Sequence, residues 1–116
     1  MSRVLLVGGD LMAKSRMVDA TSRAGIALES TSVAGLSDHL REGQPMLVVL
    51  DLDECGDAAL AALSASRASG LGLPRVVGYF SHVNRELGQA AEAAGCEAWP
   101  RGKFWSSLPQ LLQPEG

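Results

Sequence analysis

The sequence predicts a three-layer αβα sandwich, a doubly wound α/β fold built on a five-stranded parallel sheet. Two observations carry that expectation. Short continuous apolar runs alternate with longer stretches of helical period, and glycine or proline punctuates most of the joins. Unbroken apolar runs mark strands covered on both faces, whereas a half-solvated strand would alternate apolar with polar. A repeated strand–helix order makes the strands parallel, and right-handed crossovers then put helices on both faces.

The elements follow in order. Residues 3–7 (RVLLV) form the first strand, and 12–24 a helix with Ala13, Met17, Ala20 and Ala24 spaced by 4, 3 and 4, stopping at Gly25. A weaker strand at 26–30 and a short helix at 35–42 come next. The run 46–50 (MLVVL) is the third strand. The helix at 57–69 carries Ala59, Leu60, Ala62 and Leu63, and the breaker run 70–74 (GLGLP) ends it. Residues 75–79 (RVVGY) are the fourth strand. A helix at 84–94 has Leu87, Ala90, Ala91 and Ala94 on one face, and 96–99 is a weaker fifth strand. The last helix spans 106–112, with Pro109 accommodated in its first turn.

Composition bounds the function. The chain has 116 residues, 47% apolar, 20% charged and 4% aromatic, which excludes disorder and indicates one domain with an aliphatic core. Ten basic against 13 acidic residues leave a net charge of −3, against a general nucleic-acid binder. No apolar run approaches the roughly 20 residues of a membrane span, and the first nine residues are too short for a secretory h-region. The expectation is a cytoplasmic, free-standing domain with no output domain attached. Cys55 and Cys96 fall at opposite edges of the sheet, separated by about 15 Å or more of strand, so both are expected as free thiols.

In open parallel sheets, ligands bind beyond the carboxyl ends of the strands. That rule selects Gly8, Gly9 and Asp10 after the first strand, and Asp51 to Glu54 after the third. It also selects Ser81 and His82 after the fourth strand, and Arg101 to Lys103 after the fifth. Each admits a plain alternative. Gly8-Gly9 is an anion loop or simply a tight turn. Asp51 is a reactive carboxylate or a helix cap. The acids Asp51, Asp53, Glu54 and Asp57 gather a cation, or form a solvated loop with Asp57 at a helix N-terminus. Ser81-His82 lacks the surroundings of a nucleophile and base, and Ser81 or Asn84 serves better as a helix cap.

With those residues in view, the chain resembles the receiver domains of bacterial response regulators. The segment Pro45 to Leu52 (PMLVVLDL) resembles their third strand, and Ala94 to Trp99 (AGCEAW) resembles the stretch leading into their fifth. The resemblance implies a strand order of 2-1-3-4-5 and makes Asp51 the position that accepts a phosphoryl group. It further implies a hydroxyl after the fourth strand, matched by Ser81 or Tyr79. A basic residue after the fifth would be Arg101 or Lys103. Receivers also follow their first strand with an acidic pair that holds magnesium, and here Gly8 and Gly9 stand at those positions. Asp10, Asp51 and Asp53 are the remaining candidate ligands, so weak magnesium binding at most is expected, and no other cofactor.

The chain therefore reads as a degenerate pseudo-receiver: a signalling or protein-interaction module, not an enzyme, and not efficiently phosphorylated. The resemblance gives it a protein partner, or a second copy of itself, on the face made by the fourth helix, fifth strand and fifth helix. Trp99, Phe104 and Trp105 are the interface candidates there, with Trp99 expected to be the more buried tryptophan. Two other readings stay open: a working response regulator phosphorylated at Asp51, and a small-ligand or anion binder using residues 8–10 with Arg101.

Overall fold

The computed structural model describes residues 3–81 and 85–113. The chain runs β1 (Arg3–Val7), α1 (Leu11–Ala24), β2 (Ala27–Thr31), α2 (Val33–Glu42), β3 (Leu47–Asp51), α3 (Leu52–Ala68), β4 (Arg75–Phe80), α4 (Arg85–Ala93), β5 (Glu97–Pro100) and α5 (Arg101–Leu111). All five strands are parallel, in the order β2-β1-β3-β4-β5. The expected fold class and strand order are both met. Among the described residues, no helix is long and apolar enough to cross a membrane.

The strand side chains divide between two cores by the period of two. Leu5, Val7, Val48, Leu50 and Val76 join Leu36, Leu40, Leu60, Leu63 and Ala91 under α2, α3 and α4. Val4, Leu6, Leu47, Val49, Val77 and Tyr79 join Met17, Phe104 and Leu108 under α1 and α5. Every residue of β3 is buried, as its continuous apolar run requires. The edge strand β2 is mostly exposed, which explains its weak signal.

Several boundaries differ for physical reasons. Helix α1 buries Ala13, Met17 and Thr21, while Ala24 is exposed. Thr21 is tolerated there because its hydroxyl donates to the Met17 carbonyl at 2.8 Å. Helix α3 begins at Leu52 rather than 57, because the Asp51 side chain caps it by accepting the Glu54 N–H at 3.1 Å. The helix is kinked at Cys55 (φ −133°, ψ 17°), so Asp57 follows the kink instead of opening the helix.

On α4, Leu87 is half-buried, Ala91 buried and Ala90 exposed. The proposed Asn84 cap and His82 lie outside the described residues. Helix α5 starts at Arg101, five residues before the expected start at 106. Phe104, Leu108 and Leu111 form one buried stripe at spacings of 4 and 3, which carries the helix back upstream. Pro109 is consequently interior, where it cannot donate to the carbonyl one turn earlier.

Gly78 in the middle of β4 has no space for a side chain: a Cβ there would lie 2.6 Å from the buried Leu52 side chain. Gly78→Ala is expected to destabilise the domain by about 1–3 kcal/mol in urea denaturation. Gly102→Ala, where a Cβ meets nothing within 4 Å, is expected to be neutral or stabilising by up to about 1 kcal/mol.

Candidate functional site

Strand register assembles the site. β3 and β4 pair with Asp51 beside Tyr79, and β4 and β5 pair with Tyr79 beside Trp99. Adjacent residues in a parallel sheet share a face, here the one covered by α1 and α5. Asp51 is only 5% exposed, so its charge requires partners. One carboxylate oxygen accepts the Glu54 N–H; the other accepts the Tyr79 hydroxyl at 3.2 Å. Arg101, the first residue of α5, brings its Nη2 within 3.9 Å of Asp51 Oδ1 and 3.2 Å of Asp53 Oδ2. Asp53, in the first turn of α3, also accepts the backbone N–H of Ser81 with both oxygens, at 2.9 and 3.1 Å.

Aromatic rings support this network from below. The Tyr79 ring lies 5.1 Å from Phe104 and 5.2 Å from Trp105, and the Arg101 guanidinium sits 5.2 Å from the Tyr79 centroid. Burial, then the charge of Asp51 and the hydrogen bond to it, pushes the Tyr79 phenol well above its ordinary value. It stays protonated and donates.

The loop after β1 has its own geometry. Gly8 and Gly9 have φ of 75° and 91°, in the left-handed region that side chains rarely adopt. A Cβ on Gly8 would also press on Cys55 Sγ at 3.2 Å. The Gly9 N–H donates to Glu54 Oε2 at 3.1 Å, so a carboxylate reaches this loop from α3 rather than from β1. Asp10, a candidate metal ligand, instead caps α1 by accepting the Ala13 N–H at 2.8 Å.

The residues present do not fit a magnesium ion. Magnesium takes near-octahedral oxygen ligation. Here the β1 loop supplies no carboxylate, Asp10 is turned to its helix, and a guanidinium lies against Asp51 and Asp53. Among the described residues, no three or more His, Cys, Asp and Glu side chains gather as a metal site.

Of the sequence-selected residues, Asp51, Asp53, Tyr79 and Arg101 meet through side chains, and Ser81 joins by its backbone, so the hydroxyl at Asp51 is that of Tyr79. Lys103 does not join them; its Nζ lies 5.5 Å from the centroid of Trp99. Phe104 is fully buried and offers no surface, which corrects its place among the interface candidates. Trp99 and Trp105 are both half-buried. The large exposed apolar side chains among the described residues are instead Leu11 (80%), Met12 (67%) and Val18 (52%), all on α1. In the sequence Glu54 stands out only as one of an acidic cluster. Its bond to Gly9, 45 positions earlier, leaves no local signal.

Both cysteines are free thiols, as expected. Burial, with the charges of Asp51 and Glu54, pushes Cys55 up to about 11. Burial, with the charge of Glu97, pushes Cys96 up to about 12.

The chain has the α/β fold of response-regulator receiver domains. No family model matches it, and no curated protein does. Among solved structures, a response regulator from Thermotoga maritima is 15% identical, with 97% of this chain and 98% of that one covered at a TM-score of 0.70. The chemotaxis protein CheY4 of Vibrio cholerae is 13% identical, covering 96% and 98%, at 0.71. The pseudo-receiver domain of the CikA protein is 17% identical, covering 99% and 100%, at 0.61. At such identities the likeness is one of fold, and function must be argued from the site.

Two measurements check this geometry. Tyr79→Phe removes the hydroxyl that serves a buried carboxylate and is expected to cost about 1.5–3 kcal/mol of stability. Because both thiols are protonated at neutral pH, iodoacetamide labelling of the folded chain is expected to stay slow through pH 8 and to accelerate as pH approaches 11.

Proposed function

We propose that this chain is a receiver-like signalling module that acts by binding a protein partner, is not an enzyme, and does not depend on phosphorylation of Asp51. The observation that carries this reading is the state of Asp51. Its oxygens are engaged by the Glu54 N–H and the Tyr79 hydroxyl, and the positive charge beside it is the Arg101 guanidinium. Phosphoryl transfer to a carboxylate needs a cation bridging the phosphate and acceptor oxygens. A loop with two glycines at positive φ supplies no side-chain ligand for one.

A partner is supported by the surface of α1 and α5. Apart from Arg101, which faces Asp51 and Asp53, these two helices carry Lys14, Arg16, Arg23 and Lys103 against the single acid Asp19, in a chain whose net charge is −3. Beside them lie exposed Leu11, Met12 and Val18, and Arg16 sits 5.4 Å from the centroid of half-buried Trp105. Apolar, tryptophan and arginine side chains on a basic face suit a protein with an acidic contact surface. The small-ligand reading has less support. The Gly9 N–H and the Arg101 guanidinium, the groups an anion would use, already serve Glu54 and Asp53.

Trp105 lies 5.2 Å from Tyr79 and so reports on the site. Adding magnesium with beryllofluoride, a mimic of phosphoryl-aspartate, is expected to leave tryptophan fluorescence unchanged. A saturable change that Asp51→Asn abolishes would establish a working phospho-acceptor and overturn the proposal.

A further inference from the structure

We propose that Arg101 is the resident cation of this site, a side-chain replacement for the divalent ion that the donor set no longer fits. The inference rests on the functional reading above. It adds a specific claim: the site rejects metal because it carries its own positive charge, and not only because ligands are missing.

Three observations converge on Arg101. Two carboxylates two positions apart, Asp51 at the end of β3 and Asp53 in the first turn of α3, come close enough to share one guanidinium nitrogen, at 3.9 and 3.2 Å. Two carboxylates facing one nitrogen, one of them buried, are stabilised by an opposite charge between them. The guanidinium also lies over the Tyr79 ring, whose hydroxyl bonds Asp51, so the cation contacts the network from two sides. Finally, Arg101 is the first residue of α5, where the helix macrodipole disfavours a cation. Its position there is offset by the carboxylates it meets.

The second basic candidate does not compete, because Lys103 sits over Trp99. The arrangement also has a mechanical consequence. Arg101 begins the helix that carries Phe104 and Trp105, both packed on Tyr79. The ion pairs to Asp51 and Asp53 therefore tie the first residue of α5 to the ends of β3 and α3.

Removing the guanidinium leaves two uncompensated carboxylates, which then attract a small cation. The test measures manganese(II) binding to the full chain by electron paramagnetic resonance, for wild type, Arg101→Ala, Arg101→Gln and Arg101→Lys. The two neutral variants are expected to bind manganese about tenfold or more tightly than wild type. Arg101→Lys, which keeps the charge, is expected to resemble wild type. Adding Asp53→Asn to Arg101→Gln is expected to abolish the gain. In thermal denaturation, manganese is expected to raise the melting temperature of Arg101→Gln but not of wild type.

Neutral variants that bind manganese no better than wild type would overturn the proposal, as would a gain that survives Asp53→Asn. Should Arg101→Ala fail to fold, Arg101→Gln, which retains a long polar side chain, decides alone. Failure here is distinguishable from failure of the functional reading, which depends on the beryllofluoride response of the wild-type chain.

Discussion

Because β3 and β4 run parallel with Asp51 beside Tyr79, a carboxylate and a phenol share one face of the sheet at its carboxyl edge. Much of the site depends on that pairing. Asp51 is buried, and burying a charge is costly unless donors surround it. The nearest donors define the neighbouring elements. The Glu54 N–H is available because α3 begins at once after β3, and the Tyr79 hydroxyl because β4 is in register. Arg101 is near because α5 begins at once after β5. The aromatic contacts of Tyr79 with Phe104 and Trp105 then pack α5 against the same strand pair.

The β1 loop shows how a receiver fold holds together with different site chemistry. Its glycines occupy left-handed backbone, and the Glu54 carboxylate crosses from α3 to meet the Gly9 N–H. Asp10 serves the adjacent helix as its cap. The contact between the loop after β1 and α3 is thus a direct hydrogen bond within the chain. The fold tolerates this because its stability resides in the apolar strands and the helix faces that cover them, away from the loops at the sheet edge. The same fold at 13–17% identity in other solved structures is consistent with that separation.

Legibility in the sequence followed the range of the interactions. The runs at β1, β3 and β4 announced themselves because strands buried on both faces must be apolar throughout. The start of α5 did not. Its stripe of Phe104, Leu108 and Leu111 is preceded by Gly102 and interrupted by Pro109, both poor helix formers, and tertiary burial overrides that local preference. The capping role of Asp51 was open to inspection as one of two readings, since a carboxylate before a helix is a local signal. The bond from Gly9 to Glu54 and the choice of Arg101 over Lys103 were not, since each joins residues from separate elements.

The sequence by itself determined the layered α/β architecture, because the spacing of apolar residues dictates which faces must be buried. The strand order followed from the resemblance that architecture supports. It also showed which loops lacked metal-binding acids, since Gly8 and Gly9 carry no side chain to ligate with. Only the tertiary structure decided how the remaining charges are used. Asp10 turned to a helix, Asp51 to Tyr79, and Asp53 to Ser81 and Arg101. Electrostatic partners depend on distances of 3–4 Å, and strand register and helix starts set those distances, while a list of residues leaves them open.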